Sequence, residues 1–229
     1  MSASESSDDA VPTITVAPNG PLIVKGGPPL YRRRPVNSEH GEPLTWQTTE
    51  RIETDGLYGL CRCGHSENKP FCDGTHAKVD FVAADTATGA YDDRSKVLGG
   101  TGIEVSDDRS ICAHAGFCGN RATNVWKMVR ETEDSTVRAQ VIAMVERCPS
   151  GALSYRIDEA VVEPLLPDAI TAIDDGPLWV TGNLRVTSSD GSVIETRNRV
   201  TLCRCGASAN KPLCDGAHAE AGFSDSFRD

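Results

Sequence analysis

The sequence is poor in aromatic residues and in long apolar runs. Aromatic side chains make up only 5% of its 229 residues, and a chain with so few large side chains is not expected to bury one deep core. No apolar stretch approaches the roughly 20 residues that a membrane-spanning helix needs, so we predict no membrane association. The composition favours several small modules that are stabilised partly by something other than hydrophobic burial.

Positive charge is also scarce. The chain has 23 Lys and Arg against 33 Asp and Glu, a net charge of −10, which argues against nucleic-acid binding because that affinity comes mainly from cations on phosphate. Residues 1–10 carry acids where a signal peptide or a mitochondrial presequence has basic residues. We therefore expect a cytoplasmic protein, in which thiols stay reduced and clustered cysteines favour metal over disulfides.

Common catalytic signatures are missing too. The sequence contains no evident nucleophile–base pair, Walker loop or dinucleotide-binding fingerprint, so we predict that the protein is not an enzyme in its own right. It does contain nine cysteines. A protein whose cysteines all form disulfides has an even number of them, so an odd number does not favour a pure disulfide framework. The cysteine spacings described below are typical of metal ligands.

One segment of 16 residues occurs twice. Residues 61–76 and 203–218 are identical at 12 of 16 positions, and upstream 20–26 matches 176–182 as a candidate strand. The first copy has about a dozen extra residues between that strand and its cysteine pair. Such internal similarity predicts two related modules on either side of an insert.

Each copy offers three cysteines and one histidine with the spacing C-x-C-x8-C-x3-H. Cys61 and Cys63 would point the same way in an extended strand, and Cys72 and His76 would share a face on one helical turn, which Asp73 could cap. We therefore expect four ligands to converge in each copy. Structural zinc is one interpretation of a Cys3His set, although zinc modules usually present C-x2-C pairs.

These residues resemble the CDGSH (NEET) iron-sulfur family. Both copies meet every fixed position of its pattern, C-x-C-x2-[ST]-x3-P-x-C-D-G-[STA]-H. The family also implies a small β-rich fold whose two motifs pair about a two-fold axis, which we expect here within one chain, as a monomer with an internal pseudo-dimer. The resemblance implies two [2Fe–2S] clusters, one on Cys61, Cys63, Cys72 and His76 and the other on Cys203, Cys205, Cys214 and His218.

The insert has a different character. Its segment 135–147 places Val137, Val141, Ile142 and Val145 on one face of a helix. Segments 102–105 and 152–156 are typical of short strands, so we predict a small α+β unit. Its three cysteines are Cys112, Cys118 and Cys148.

Residues 98–158 resemble a divergent mono-cluster ferredoxin. The resemblance implies Cys112, Cys118 and Cys148 as ligands. Ala115 occupies the place of the usual further cysteine, and three thiolates are the expected set for [3Fe–4S]. Alternatively, His114, a non-protein ligand or a hydroxide holds a fourth iron in a [4Fe–4S] cluster. His114 could instead hydrogen-bond a cluster sulfide or the backbone, and three buried thiols without a cluster is the remaining interpretation.

The predicted fold class is α+β, with two small β-rich CDGSH modules as an intrachain pseudo-two-fold pair and a small α+β ferredoxin-like insert. We expect one-electron transfer with a redox partner protein, a reductase or an oxygenase, to which an acidic surface could steer the protein. The alternatives are iron-sulfur storage, transfer to an apo-acceptor protein or redox sensing, and a structural zinc scaffold. The predicted boundaries are an acidic disordered tail (1–12), module 1 (13–95), the ferredoxin-like domain (96–160), a linker (161–170) and module 2 (171–229).

Overall fold

The protein is rich in strands and has few helices. The computed structural model describes residues 11–182 and 184–225, so the predicted acidic tail 1–12 lies outside them except for its last two residues. Within these ranges there are thirteen strands and four α-helices. They are β1 (Thr13–Val16), β2 (Leu22–Lys25), β3 (Leu30–Asn37), β4 (Pro43–Ile52), β5 (Leu57–Leu60), α1 (Thr75–Lys78), α2 (Tyr91–Arg94), β6 (Lys96–Gly99), β7 (Glu104–Asp107), α3 (Val125–Met128), α4 (Ser135–Glu146), β8 (Leu153–Ile157), β9 (Ala160–Val162), β10 (Ala169–Ile173), β11 (Leu178–Thr181), β12 (Arg185–Thr187) and β13 (Arg199–Leu202).

Two outer sheets are each built on three antiparallel strands. β1, β2 and β5 form one set, and β10, β11 and β13 form the other. The predicted equivalent strands 20–26 and 176–182 correspond to β2 and β11, the middle strands of the two sets. Buried and less buried residues alternate along β1 and β2, as in a sheet with one covered face, whereas β10 and β11 are buried throughout.

The two halves of the chain exchange a strand. β12 pairs in parallel with β1, so that Ile14 lies opposite Val186. β3 pairs in parallel with β10, so that Leu30 lies opposite Ile170. The first outer sheet therefore contains one strand from the second half, β12, and the second outer sheet contains two strands from the first half, β3 and β4.

The extra residues of the first copy form a long β-hairpin of β3 and β4. On this hairpin, the ring of Trp46 lies 4.8 Å from that of Phe117 and 5.3 Å from that of Trp179, measured between centroids. Its indole Nε1 donates to the carbonyl oxygen of Arg147 at 3.3 Å. The hairpin therefore joins the insert to the second half of the chain.

The insert contains the predicted helix and both predicted strands. Helix α4 spans Ser135–Glu146 and buries Val141 and Val145, and the Asp134 side chain caps it by accepting from the backbone N–H of Thr136 at 2.7 Å. The strands begin one or two residues later than predicted, at β7 and β8, and lie in the four-stranded order β6-β7-β8-β9. This unit has its own apolar core.

A second apolar core lies between the outer sheets and includes Ile111 and Ala152 of the insert. Strand β10 begins at Ala169, within the predicted linker 161–170. The helices of the described ranges are too short or too polar for any of them to cross a bilayer.

Candidate metal centres

The first repeated motif brings its four candidate ligands together as two pairs. Cys61 and Cys63 follow the end of β5, and their sulfur atoms are 3.8 Å apart. Cys72 precedes α1 and His76 lies within it, which places the Cys72 sulfur 3.3 Å from Nδ1 of the imidazole. The loop between the pairs folds back through an antiparallel bridge that joins Leu60 to Phe71.

The second motif repeats this geometry closely. The sulfur atoms of Cys203 and Cys205 are 3.7 Å apart, and the Cys214 sulfur lies 3.5 Å from Nδ1 of His218. Backbone N–H groups point at the sulfurs, as Ala207 N does at 3.4 Å from Cys205. Such N–H donors stabilise thiolates and tune bound iron-sulfur clusters.

Aspartate and serine side chains hold each ligand loop in shape. The carboxylate of Asp73 accepts from the backbone N–H of Thr75 at 3.0 Å and from that of Glu67 at 2.9 Å, as predicted for a residue that caps this turn. These bonds hold the pKa of the Asp73 carboxyl well below its usual range. Ser66 donates to the carbonyl oxygen of Phe71 at 2.6 Å. Asp215 and Ser208 make the corresponding bonds in the second motif.

The donor set and its arrangement fit a dinuclear iron-sulfur cluster. Nowhere in the described residues do three or more Cys, His, Asp or Glu side chains converge as the ligands of one ion would. Each motif instead offers two close pairs, and two pairs suit the two irons of a [2Fe–2S] cluster.

The candidate cysteine ligands differ in their pKa values. Burial raises the pKa of Cys63 and Cys72, and it raises that of Cys214 to about 12. The hydrogen bond between Cys203 and Cys205 lowers the pKa of the former to about 6 and raises that of the latter, so this pair loses its first proton far more readily than its second. The raised pKa values of Cys63, Cys72 and Cys214 suit sulfurs that lose their protons when a metal binds.

The two motifs touch each other through their backbones. Cys63 and Cys205 form an antiparallel bridge. A methyl group added to Gly64 would lie 2.5 Å from the carbonyl oxygen of Cys205, and one added to Gly206 would lie 2.6 Å from that of Cys63. Only glycine fits so close an approach, and both glycines have positive φ.

One buried arginine, missed in the sequence analysis, lies between the cysteines of each C-x-C pair. Arg62 is 1% exposed, and its guanidinium donates to the carbonyl oxygens of Gly20 and Ala17, both at 2.9 Å, and to Asp85 at 3.0 Å. Arg204 makes the corresponding contacts with Gly176, Ile173 and Asp225. The signal was present in the sequence, since both copies read C-R-C and a buried arginine needs partners.

The three cysteines of the insert line one cavity of about 110 Å³. Burial raises the pKa of Cys112 and Cys118, and Cys148 is close enough to raise both further. Ala115 lines the same cavity, which has space for several water-sized occupants. Three thiols around a common space fit a cubane-type iron-sulfur cluster with three cysteine ligands.

His114 lies at the edge of this cavity in a left-handed backbone conformation, with φ of 54°. Its ring packs against Gly216 of the second motif, where an added methyl group would lie 2.8 Å from Nδ1. Burial lowers the pKa of His218, and the neighbouring His114 lowers it further. The structure therefore brings His114 to two candidate sites at once.

Comparison with family models matches both kinds of segment. Residues 19–77 and 175–219 match the iron-binding zinc finger of CDGSH type, and residues 98–158 match a divergent 4Fe-4S mono-cluster domain. Both resemblances predicted from the sequence are confirmed. No curated protein matches the chain.

Proposed function

We propose that this chain, in which two segments match the CDGSH family model and flank a segment that matches a divergent 4Fe-4S mono-cluster domain, transfers electrons one at a time between protein partners. Both family matches make it an iron-sulfur protein. The number and type of its clusters and its redox role are proposed from the donor sets.

The proposal assigns one [2Fe–2S] cluster to each CDGSH motif and a third cluster to the insert. When bound, such clusters supply one-electron redox chemistry. The three cysteines of the central cavity suit [3Fe–4S], and [4Fe–4S] requires a fourth ligand such as His114. The ligands are Cys61, Cys63, Cys72 and His76 at the first site, Cys203, Cys205, Cys214 and His218 at the second, and Cys112, Cys118 and Cys148 at the central site.

The observation that carries the redox role is the direct contact between two complete donor sets at the Cys63–Cys205 bridge. Electron transfer favours centres that are close together and held rigidly. The buried guanidinium groups supply part of that rigidity. They also place positive charge near thiolates across the bridge, since Arg62 interacts electrostatically with Cys203 and Arg204 with Cys61.

We further propose that the two CDGSH motifs form an internal pseudo-two-fold pair and that the protein works as a monomer. The reciprocal exchange of β3 and β12 supports this pairing. The matching contacts of Arg62 and Arg204 support it as well. Because each motif already faces its counterpart within the chain, a second copy is not needed to complete either site.

The partner is proposed to be a basic reductase or oxygenase. With a net charge of −10, the protein would approach a basic surface faster than a neutral one at low salt. The chemistry on a substrate would then belong to the partner, since we propose no catalysis by this chain itself.

Anaerobic purification followed by iron and sulfide analysis, EPR and a reductive titration tests the proposal. We expect a coloured protein with reversible one-electron reductions. About seven irons per chain and an EPR signal in the oxidised protein correspond to [3Fe–4S] at the central site, and about eight correspond to [4Fe–4S]. A colourless, folded protein that contains zinc would contradict the proposal.

Cluster delivery to an apo-acceptor protein is a second candidate function. One observation favours it: Cys72 and His76 of the first site are only half-buried, so an acceptor's thiols could reach them. Mixing the loaded protein with an apo-ferredoxin separates the two functions. Stable clusters with reversible reduction support electron transfer, whereas rapid appearance of the acceptor's spectrum supports delivery.

A further inference from the structure

The two CDGSH motifs differ in what covers them. A methyl group added to Gly216 would lie 2.8 Å from Nδ1, 2.9 Å from Cγ and 3.0 Å from Cε1 of the His114 ring. Gly74 is the equivalent residue of the first motif. A methyl group added to Gly74 would have no described atom within 4 Å apart from its chain neighbours. The His114 ring therefore lies flat on the second motif, and nothing in the described part of the chain takes its place on the first.

The insert and the segment that leads into it make further contacts with the second motif. Asn210 donates from Nδ2 to the carbonyl oxygen of Ser110 at 3.0 Å, whereas its counterpart Asn68 is exposed. Thr86, which lies in the segment leading into the insert, donates from its hydroxyl to the carbonyl oxygen of Ala209 at 2.7 Å.

The third cysteines of the two motifs differ in burial in the same direction, whereas Cys63 is buried and its counterpart Cys205 is half-buried. Cys214 is 2% exposed, and its counterpart Cys72 is only half-buried. Cys112 of the central cavity is also near enough to Cys214 for the two thiolate charges to interact. The central cavity and the second motif are therefore immediate neighbours.

We infer that the three sites stand in a row, in the order first, second, central, and that His114 is the positioning residue that closes the second site from solvent and joins it to the central one. The inference rests on the proposed electron-transfer function. The Cys63–Cys205 bridge makes the first junction of the row, and the contact between His114 and Gly216 makes the other.

In this order the second site is the obligatory link. An electron supplied by an external one-electron donor protein, such as a reductase, passes between the first and central sites only through it. Each step oxidises one site by one electron and reduces its neighbour by one, and no bond or proton changes place. A partner is expected to reach the row at the first site, where Cys72 and His76 are half-buried and no described side chain takes the place of His114.

Magnetic interaction between the sites tests the order. EPR spectra of the partly reduced, fully loaded protein should show the central signal broadened or split by the second site. Cys214→Ala should abolish this broadening, and the matched variant Cys72→Ala should leave it unchanged. Broadening that survives in Cys214→Ala and disappears in Cys72→Ala would overturn the order. Because the interaction depends on distance and not on turnover, failure of reversible electron transfer in the wild type would count against the proposed function alone.

A pair of glycine substitutions tests the cover. Gly74 and Gly216 have φ of 85° and 91°, so alanine strains both backbones to a similar degree. Only Gly216→Ala adds a methyl group that displaces the His114 ring. Challenged with a chelator, the Gly216→Ala protein should lose iron from the second site several-fold faster than wild type, and Gly74→Ala should leave second-site release unchanged. Equal effects of both variants on the second site would contradict the cover.

Substitution of His114 itself separates a cover from a ligand. His114→Ala should accelerate second-site release and weaken the magnetic interaction, and His114→Phe, which keeps a flat ring without nitrogen, should restore slow release. His65→Ala, in the exposed loop of the first motif, serves as the control. Loss of about one iron from the central site in both His114 variants, with second-site release unchanged, would make His114 a ligand and refute its role as a cover.

Discussion

Arg62 Nη1 lies 3.0 Å from Asp85 Oδ1, and both side chains are buried at the junction of the two halves. The other oxygen of Asp85 accepts from the Ser188 hydroxyl and from the Ser189 backbone N–H, each at 2.7 Å. The carboxylate of Asp85 therefore links the C-x-C pair of the first motif to the residues that directly follow β12, the strand that the second half contributes to the first outer sheet.

Arg62→Met should destabilise the protein strongly, because it leaves the carboxylate of Asp85 buried without its cation. Breaking a buried ion pair in this way costs about 3–5 kcal/mol. The effect should appear as a large drop in the thermal unfolding midpoint of the loaded protein. Arg51→Met is the control, because the side chain of Arg51 is 66% exposed, and its effect should stay within about 0.5 kcal/mol. Equal midpoints for the two variants would contradict this role of Arg62.

Gly64→Ala should separate the two CDGSH motifs. The added methyl group would lie 2.5 Å from the carbonyl oxygen of Cys205, which is backbone and cannot move aside cheaply. We expect both [2Fe–2S] sites to bind less iron, measured by metal analysis and by the visible spectrum. Gly191→Ala provides the control for backbone strain. Gly191 has φ of 88°, and a methyl group added there would have no described atom within 4 Å apart from its chain neighbours. Full occupancy of both sites in Gly64→Ala would show that the close approach is not needed.

Ala115→Cys should convert the central site to a four-cysteine set. Ala115 lines the cavity together with the three cysteines, so a thiolate there has a fourth iron within its reach. If the wild type holds [3Fe–4S], the variant should gain about one iron per chain and lose the EPR signal of the oxidised protein. An unchanged iron content and spectrum, in a variant that folds normally, would indicate that position 115 does not face the cluster.

Trp46→Ala should loosen the hairpin from the insert. Trp46 packs between Phe117 and Trp179 and donates to Arg147. Because the side chain is only half-buried, we expect a loss of about 2 kcal/mol, below the range for a fully buried tryptophan. Thermal unfolding and faster proteolysis of the hairpin turn measure this loss. Leu44→Ala, at a residue that is 52% exposed, should change neither.

The sequence was informative wherever a short-range rule decided the outcome. The spacing of Cys72 and His76 predicted that the two side chains lie together, as they do in the structure. The apolar period of 3.6 residues predicted the position of α4. The repeat also provides a control, because His65 of the first copy is matched by Ala207 in the second, which argues against His65 as a ligand.

Long-range pairing could not be predicted in the same way. The parallel pairing of β3 with β10 joins residues about 140 positions apart, and no local period encodes that register. The contact of His114 with Gly216 depends on how the insert docks on the second motif, which follows from the whole fold. The roles of Arg62 and Arg204 depended on which carbonyl oxygens face them once the chain has folded.

The exchange of β3 and β12 bears on how the protein is made. While the ribosome is still translating the insert, β1 already exists but its parallel neighbour, residues 185–187, has yet to be synthesised. The nascent amino-terminal half thus exposes an unpaired strand edge, which is prone to aggregation. An amino-terminal fragment that ends between the two halves would expose the same unpaired edge of β1. We therefore expect the amino-terminal half to fold stably only as part of the complete chain.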